Sequence, residues 1–314
     1  MPKTQIVFLL LPHLHLLDLA GAEQVFIEAI ELGADFEIRY CSFTDSLSSS
    51  TFVSIGPVPH FSSIHLQKND FIIIPGTYAT YLLSEEFTQQ KALFDWLNKA
   101  YQQQVKLCSI CTGAYVLAQA GLLNGRKCTT HWKYIERLQK AFPMAQVVDN
   151  MLFTEEDNIL TSAGLTSGID LALHLVAKLQ GDLLSYKVAR EMVVYMRRPG
   201  HHGQQSVFLQ YRNHIHSGIH KVQDWLQENL HQKATLDDLA ELACMSTRNL
   251  TRIFRKETGI SINEYITLMR VEKIKELRKN PNLTRLQIAQ ACGLSSDRQV
   301  SRISPTIRRK QFIS

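Results

Sequence analysis

The chain has 314 residues, enough for two domains, since a single core rarely grows past about 250–300 residues. Hydrophobic residues make up 45% and charged residues 20%, a balance that excludes an intrinsically disordered polymer. The net charge of +5 is uneven: residues 1–216 hold 17 Lys+Arg against 19 Asp+Glu, whereas residues 217–314 hold 17 against 10, so the positive surplus sits in the last third.

The first segment, MPKTQIVFLLLPHLHLLDLAG, contains an apolar run from Ile6 to Leu11 that Pro12, His13, His15 and Asp18 cut short. No small-residue cleavage pattern follows, so the run reads as a buried strand and not as a signal peptide. Nowhere do about 18 apolar residues occur together, which argues against a membrane span. Six scattered cysteines (Cys41, Cys108, Cys111, Cys128, Cys244, Cys292) lack the dense spacing of a secreted disulfide framework and point to a reducing cytoplasm.

Short apolar runs then alternate with helical periodicity. Strands are expected at 6–11, 36–42, 71–75, 105–110, 147–153 and 158–163, and helices at 18–32, 85–103, 112–120 and 132–141. Nearly uninterrupted apolar strands suit a sheet covered on both faces, so a parallel sheet between helices, an α/β sandwich, is expected. Two more helices, 166–180 and 182–195, are expected to open on capping oxygens of Thr166 and Asp182.

The Pro- and Gly-containing stretch 197–217 reads as a linker between an N-terminal domain (1–196) and a C-terminal one (218–314). His201, His202, His214 and His216 lie in it without a carboxylate or cysteine pattern, and are expected to be solvent-exposed. Beyond it only helices are expected, at 218–230, 235–243, 247–257, 261–279, 284–292 and 297–303, an all-α domain with short connections.

Within TLDDLAELACMSTRNLTRIFRKETG (235–259), one short helix buries Leu236, Leu239, Ala240 and Ala243. After a corner at Cys244-Met245, a second buries Leu250, Ile253 and Phe254. That second helix leaves Thr247, Arg248, Asn249, Arg252, Arg255 and Lys256 outside. Arg pairs with guanine O6/N7 and Asn with adenine N6/N7, so the first turns suit base reading, while Arg255 and Lys256 suit phosphate. A second copy, LQIAQACGLSSDRQVSRI (286–303), repeats the pattern about 49 residues later. Two units on a stiff connector can reach major grooves about 34 Å apart.

These two units resemble the AraC/XylS-type regulator family over residues 218–303. The resemblance implies double-stranded operator DNA as a partner, with Arg248, Asn249 and Arg252 in one groove and Arg298, Gln299 and Arg302 in the next. Ser304-Pro305 depart from the family pattern, which places an aromatic residue after Ile303; Arg308, Arg309 and Lys310 follow.

In VKLCSICTGAYVLAQAGLLNGRKCTTHW (105–132), an apolar strand runs through Cys111 directly into a helix. A Cys at such an elbow, beside a helix N-terminus, is expected to favour thiolate. A small buried thiol is the other reading. Cys108 has CxxC spacing to Cys111, but no second pair completes a zinc site, so it reads as a core thiol. No phosphate-binding or dinucleotide motif occurs, and no cofactor or metal is expected.

Together with LLDLAGAEQVF (16–26), IIIPGT (72–77) and LTSAGLTSGIDLALHLV (160–176), this run resembles the PfpI/ThiJ superfamily, a glutamine-amidotransferase-like, flavodoxin-like α/β sandwich. The resemblance implies a small-molecule effector pocket bounded by Asp18, Gly76, Thr77, Cys111, Thr112 and His131. Backbone N–H groups at the elbow and after Gly76 would face the bound group, and a homodimer would form through this domain. Peptidase-like members carry a His directly after the nucleophile; Thr112 stands there. Isocyanide hydratases of the superfamily pair a Cys-Thr with an early Asp, as Cys111, Thr112 and Asp18 do, which keeps a cysteine-dependent enzyme as the alternative to a regulator without catalysis.

Overall fold

The computed structural model describes all residues except 1–2, 150, 195–197, 199, 201–203, 205–206, 279, 281–282 and 304–314, and except the side chains of residues 208 and 209. The segment from Ser304 onward, with Arg308, Arg309 and Lys310, and the pair His201-His202 therefore lie outside the described residues. The chain divides into two compact units, residues 1–204 and 205–314.

Unit 1 is built on a six-stranded sheet. Its strands are β1 (Thr4–Leu9), β2 (Phe36–Cys41), β3 (Phe71–Ile74), β4 (Lys106–Ile110), β5 (Phe153–Glu156) and β6 (Ile159–Ser162). They lie in the order β2-β1-β3-β4-β6-β5. The helices used below are α1 (Leu16–Glu31), α2 (Lys91–Gln102), α3 (Ala114–Gln119), α4 (Ile135–Ala141), α5 (Thr166–Gln180) and α6 (Asp182–Glu191).

The period-2 geometry of the strands explains why continuous apolar runs work here. Ile6, Phe8, Phe71, Ile73, Cys108 and Ile110 point to one face, where α1, α5 and α6 contribute Val25, Phe26, Leu171 and Val188. Val7, Leu9, Ile72, Ile74 and Leu107 point to the other, against Leu93, Leu97, Val116, Leu117 and Leu138 of α2, α3 and α4. The expected sandwich is present, and Cys108 is indeed a core thiol.

Four local expectations are corrected. The sheet is mixed, because β5 pairs antiparallel with β6 through a hairpin turning at Asp157 (φ +54). Correspondingly, the strand expected over 147–153 shrinks to Gln146–Val147, and the sheet edge begins at Phe153. The helix expected over 85–103 breaks at Gln89-Gln90 into a single turn, Glu85–Thr88, and α2. Thr166 lies inside α5 and caps nothing; its hydroxyl accepts a hydrogen bond from Arg198 at 2.8 Å.

Unit 2 contains α7 (Ser217–Glu228), α8 (Leu236–Leu242), α9 (Thr247–Thr258), α10 (Ile262–Leu277), α11 (Arg285–Ala291) and α12 (Asp297–Ile303). Capping boxes open α8, α10 and α11 through Thr235/Asp238, Ser261/Glu264 and Thr284/Gln287, which accounts for the sharp starts of these helices. The long α10 serves two cores. Its Ile262, Tyr265 and Met269 pack with Leu239, Leu250 and Phe254 of the first helix pair, and its Ile274 with Ile288, Cys292 and Val300 of the second.

Several described residues between α6 and α7 are fastened down. Arg198 forms a fork on the buried Asp170 carboxylate, and Gly200 accepts the Leu152 amide at 2.8 Å. On the unit 2 side, the Val207 amide donates to Glu272 at 3.0 Å. His214 and His216 are half-buried, not exposed as expected, because Gln223, wholly buried, bonds His214 at 3.2 Å and the Tyr211 carbonyl at 2.7 Å.

Candidate functional site

In unit 1, β4 runs into the tight turn Cys111–Gly113 and on into α3. Cys111 has φ +56, a left-handed conformation that costs a non-glycine residue energy and persists only when its surroundings impose it. Three chain segments impose it. The first turn of α1 brings Asp18, the end of β3 brings Gly76 and Thr77, and the turn after β6 brings Gly164 and Leu165.

Asp18 is wholly buried; its Oδ1 accepts the Leu165 amide at 2.6 Å, while its Oδ2 accepts no hydrogen bond and lies 3.5 Å from His15 Nδ1. Two walls have room only for glycine. A Cβ on Gly76 would stand 2.9 Å from Cys111 Cβ, and one on Gly164, itself at φ +90, would stand 2.9 Å from Cys111 Sγ.

Thr77 and Thr112 brace the elbow. The Thr77 amide donates to Thr112 Oγ1 at 2.9 Å, and that hydroxyl donates back to the Thr77 carbonyl at 2.6 Å. The Thr77 hydroxyl is used too, on the Pro12 carbonyl. The N–H after Gly76, expected to face a ligand, is therefore already occupied.

The expected thiolate is likewise corrected. Burial pushes the Cys111 thiol up, the negative charge of Asp18 adds to this, and hydrogen bonding from Thr112 opposes it only in part. Desolvation of the anion outweighs the helix N-terminus, because the sulfur has almost no solvent to stabilise its charge. His131 precedes the turn Trp132–Tyr134 and its Nδ1 accepts the Lys133 amide at 3.3 Å. Burial lowers its pKa, against the pull of Asp18, so the imidazole is neutral near pH 7.

In unit 2, α8 and α9 meet at the corner Ala243–Ser246, where Ser246 caps α9 by accepting the Asn249 amide at 3.3 Å. Leu250 and Phe254 are buried, whereas Arg248, Arg252, Arg255 and Lys256 are exposed. Arg252 donates to Asn249 Oδ1 at 2.8 Å, so these two are pre-aligned side by side. Thr247 is differently employed: its hydroxyl donates to Asp237 at 2.6 Å and ties α9 to α8. A cavity of about 420 Å³ is lined by Arg248, Thr251, Arg252, Arg255, Ser261 and Asn263, among others. In the second pair, Arg298 and Arg302 are exposed, while Gln299 accepts the Ser295 amide at 2.8 Å and so helps to hold the corner.

Residues 4–178, more than half of the chain, match the DJ-1/PfpI family. The chain belongs to the DJ-1/PfpI family. Residues 226–267 of this DJ-1/PfpI protein also match the bacterial regulatory helix-turn-helix proteins of the AraC family. It is 28% identical over 295 residues to the HTH-type transcriptional regulator GbdR of Pseudomonas aeruginosa, covering 93% of this chain and 78% of that protein. Against the isonitrile hydratase of Pseudomonas putida it is 31% identical over 179 residues, 56% of this chain and 72% of the enzyme. The crystal structure of an AraC family transcriptional regulator from Pseudomonas putida has the same fold over 60% of this chain and all of that one, with a TM-score of 0.53 at 24% identity.

Sequence reasoning missed several residues of the DJ-1/PfpI site. His15 was visible in PHLHLLD but carried no pattern. Gly164 and Leu165 come from a turn remote in sequence. Thr130 donates to the Cys111 carbonyl at 2.8 Å, and Gln204 donates to the Thr130 carbonyl at 2.9 Å and to the Met151 carbonyl at 2.9 Å. The glutamine lies in the expected linker, where composition says nothing about contacts.

Proposed function

We propose that this protein is a transcriptional regulator in which α9 reads operator DNA under the control of a small molecule bound at the DJ-1/PfpI site around Cys111. The observation that carries the DNA reading is the exposed arginine face of α9, displayed from a capped helix corner on a unit with surplus positive charge. Arg248, Asn249 and Arg252 are its base readers; Arg255 and Lys256 hold phosphate. The second pair, with Arg298 and Arg302 in the same roles, supplies a second groove contact, and a homodimer through unit 1 presents two such sets.

Effector control is supported by the bonds that tie the site to the end of unit 1. The Cys111 carbonyl takes the Thr130 hydroxyl, and the Thr130 carbonyl takes the side-chain amide of Gln204, the last residue of that unit. A ligand that binds one arrangement of these bonds better than another shifts the population that binds DNA.

Selection of bound duplexes from a random pool by the full-length protein tests the proposal. One recurrent site is expected, bound more weakly and with relaxed preference at one base step in Arg252→Ala; no sequence preference at moderate salt would remove the regulator reading. Isonitrile hydration is the second reading, favoured by the 31% identity to the hydratase and by the Asp18–Cys111 pair. Turnover that disappears in Cys111→Ser would promote it.

A further inference from the structure

We infer that His15, Asp18 and Cys111 form a binding site for a borderline-soft divalent cation, Zn²⁺ being the type, with one coordination position left open. The inference rests on the reading that the Cys111 site receives the signal, and it names a ligand class for that site where the sequence suggested no metal.

The donor atoms converge. An imidazole nitrogen, a carboxylate oxygen and a sulfur lie within 4.8 Å of one another. Tetrahedral zinc, with bonds of about 2.0–2.3 Å, needs donors roughly 3.3–3.8 Å apart. The His15 Nδ1 to Asp18 Oδ2 separation is already 3.5 Å, within that range. The mixture of S, N and O suits zinc and its neighbours, and it does not suit Mg²⁺ or Ca²⁺, which take oxygen shells.

The backbone holds these donors ready. The His15 amide donates to the Gly76 carbonyl at 2.8 Å, and the His15 carbonyl accepts the amides of Asp18 and Leu19 at 3.0 and 3.3 Å. Asp18 is fixed by Leu165, and Cys111 by its strained elbow. A second pointer to a ligand is Asp18 Oδ2, wholly buried and without a well-formed hydrogen bond, whose neighbours are the other two donors, His15 Nδ1 at 3.5 Å and the Cys111 thiol. A cation there would pair that oxygen and take up the thiolate, whose proton passes to solvent on binding. The His15 side chain, a quarter exposed, gives a way in. The open position accepts water or a donor atom of an organic effector.

The test uses the full chain carrying Cys244→Ser, which removes the exposed thiol. Equilibrium dialysis against Zn²⁺ is expected to retain one ion per chain, and Co²⁺ in its place is expected to give a thiolate-to-cobalt charge-transfer absorption. Cys111→Ser should abolish that absorption. His15→Ala, at a partly exposed residue, should weaken zinc binding more than about tenfold while leaving the circular dichroism unchanged. No retained zinc, retention equal in His15→Ala, or equal competition by Mg²⁺ would overturn the inference. Operator selection in the same preparation separates the two failures. A preferred duplex without zinc retention defeats the metal site alone, whereas zinc retention without any preferred duplex defeats the regulator reading alone.

Discussion

Asp18 and Leu165 stand far apart in the sequence, yet a single carboxylate–amide bond of 2.6 Å between them closes the wall behind Cys111. Substitutions around that wall should be costly even where the residue touches no ligand. In Gly164→Ala the new methyl group meets both a left-handed backbone and the Cys111 side chain. Strain and overpacking together should cost about 2–4 kcal/mol, read as a lower Tm with the helical circular dichroism retained. Thr112→Val keeps the shape of the side chain but leaves the Thr77 amide and carbonyl without their partner. A loss of about 1–3 kcal/mol in urea unfolding is expected, and a cost below a few tenths would show that the bracing pair contributes nothing. The elbow itself was legible, since an apolar strand meeting Cys-Thr-Gly has few other outcomes. The state of its thiol was not, because desolvation depends on how Gly76, Gly164 and Asp18 close around the sulfur.

Elements hold together here through side chains that bridge one to the next, and the edge strand β5 shows how. Glu155 on β5 reaches across to His174 at 3.1 Å and to Lys178, both on α5. The His174 bond, aided by Lys178 and opposed by burial, draws the Glu155 pKa down to about 2. A carboxylate depressed in the folded state contributes stability above its unfolded pKa, and that contribution is lost as pH falls from about 4.5 towards 2. Because the partners are considerably exposed, the contribution is about 1 kcal/mol. Glu155→Gln should therefore lower stability at pH 7, while the difference from the parent vanishes near pH 2; a constant difference across that range would refute the bridge. Strands buried on both faces were plain in the sequence, as in FIIIP, because no polar residue interrupts them. The antiparallel return of β5 was hidden, since residues 154–157 read as a polar gap between two expected strands, whereas most of β5 lies within that gap. Arg198 and Gln204 were hidden as well, because their bonds join a Pro- and Gly-rich stretch to parts of unit 1 far away in sequence.

At the scale of the whole molecule, the positive surplus of residues 217–314 and the division at 204/205 place the polyanion-attracting surface in one unit and the buried thiol site in the other. Both helix pairs display two arginines one turn apart, Arg248/Arg252 and Arg298/Arg302, yet their cores differ. The first is built on Leu239, Leu250, Phe254 and Tyr265, with two large aromatic rings packed edge to face, 5.5 Å between centroids. Among the described residues, the second relies on aliphatic side chains and Cys292. Less apolar area per helix means weaker resistance to local opening, so amide exchange should be faster in α11 and α12 than in α8 and α9. That difference carries over to DNA. Docking a loosely held helix spends part of its contact energy on ordering it, so an equivalent arginine yields less net affinity there. Arg252→Ala should cost about 1–3 kcal/mol and relax sequence preference at one base step. Arg302→Ala should cost less and shorten the footprint at one end only. Equal losses from the two substitutions, with equal amide protection in both helix pairs, would show that the two cores hold their helices equally well despite their different composition.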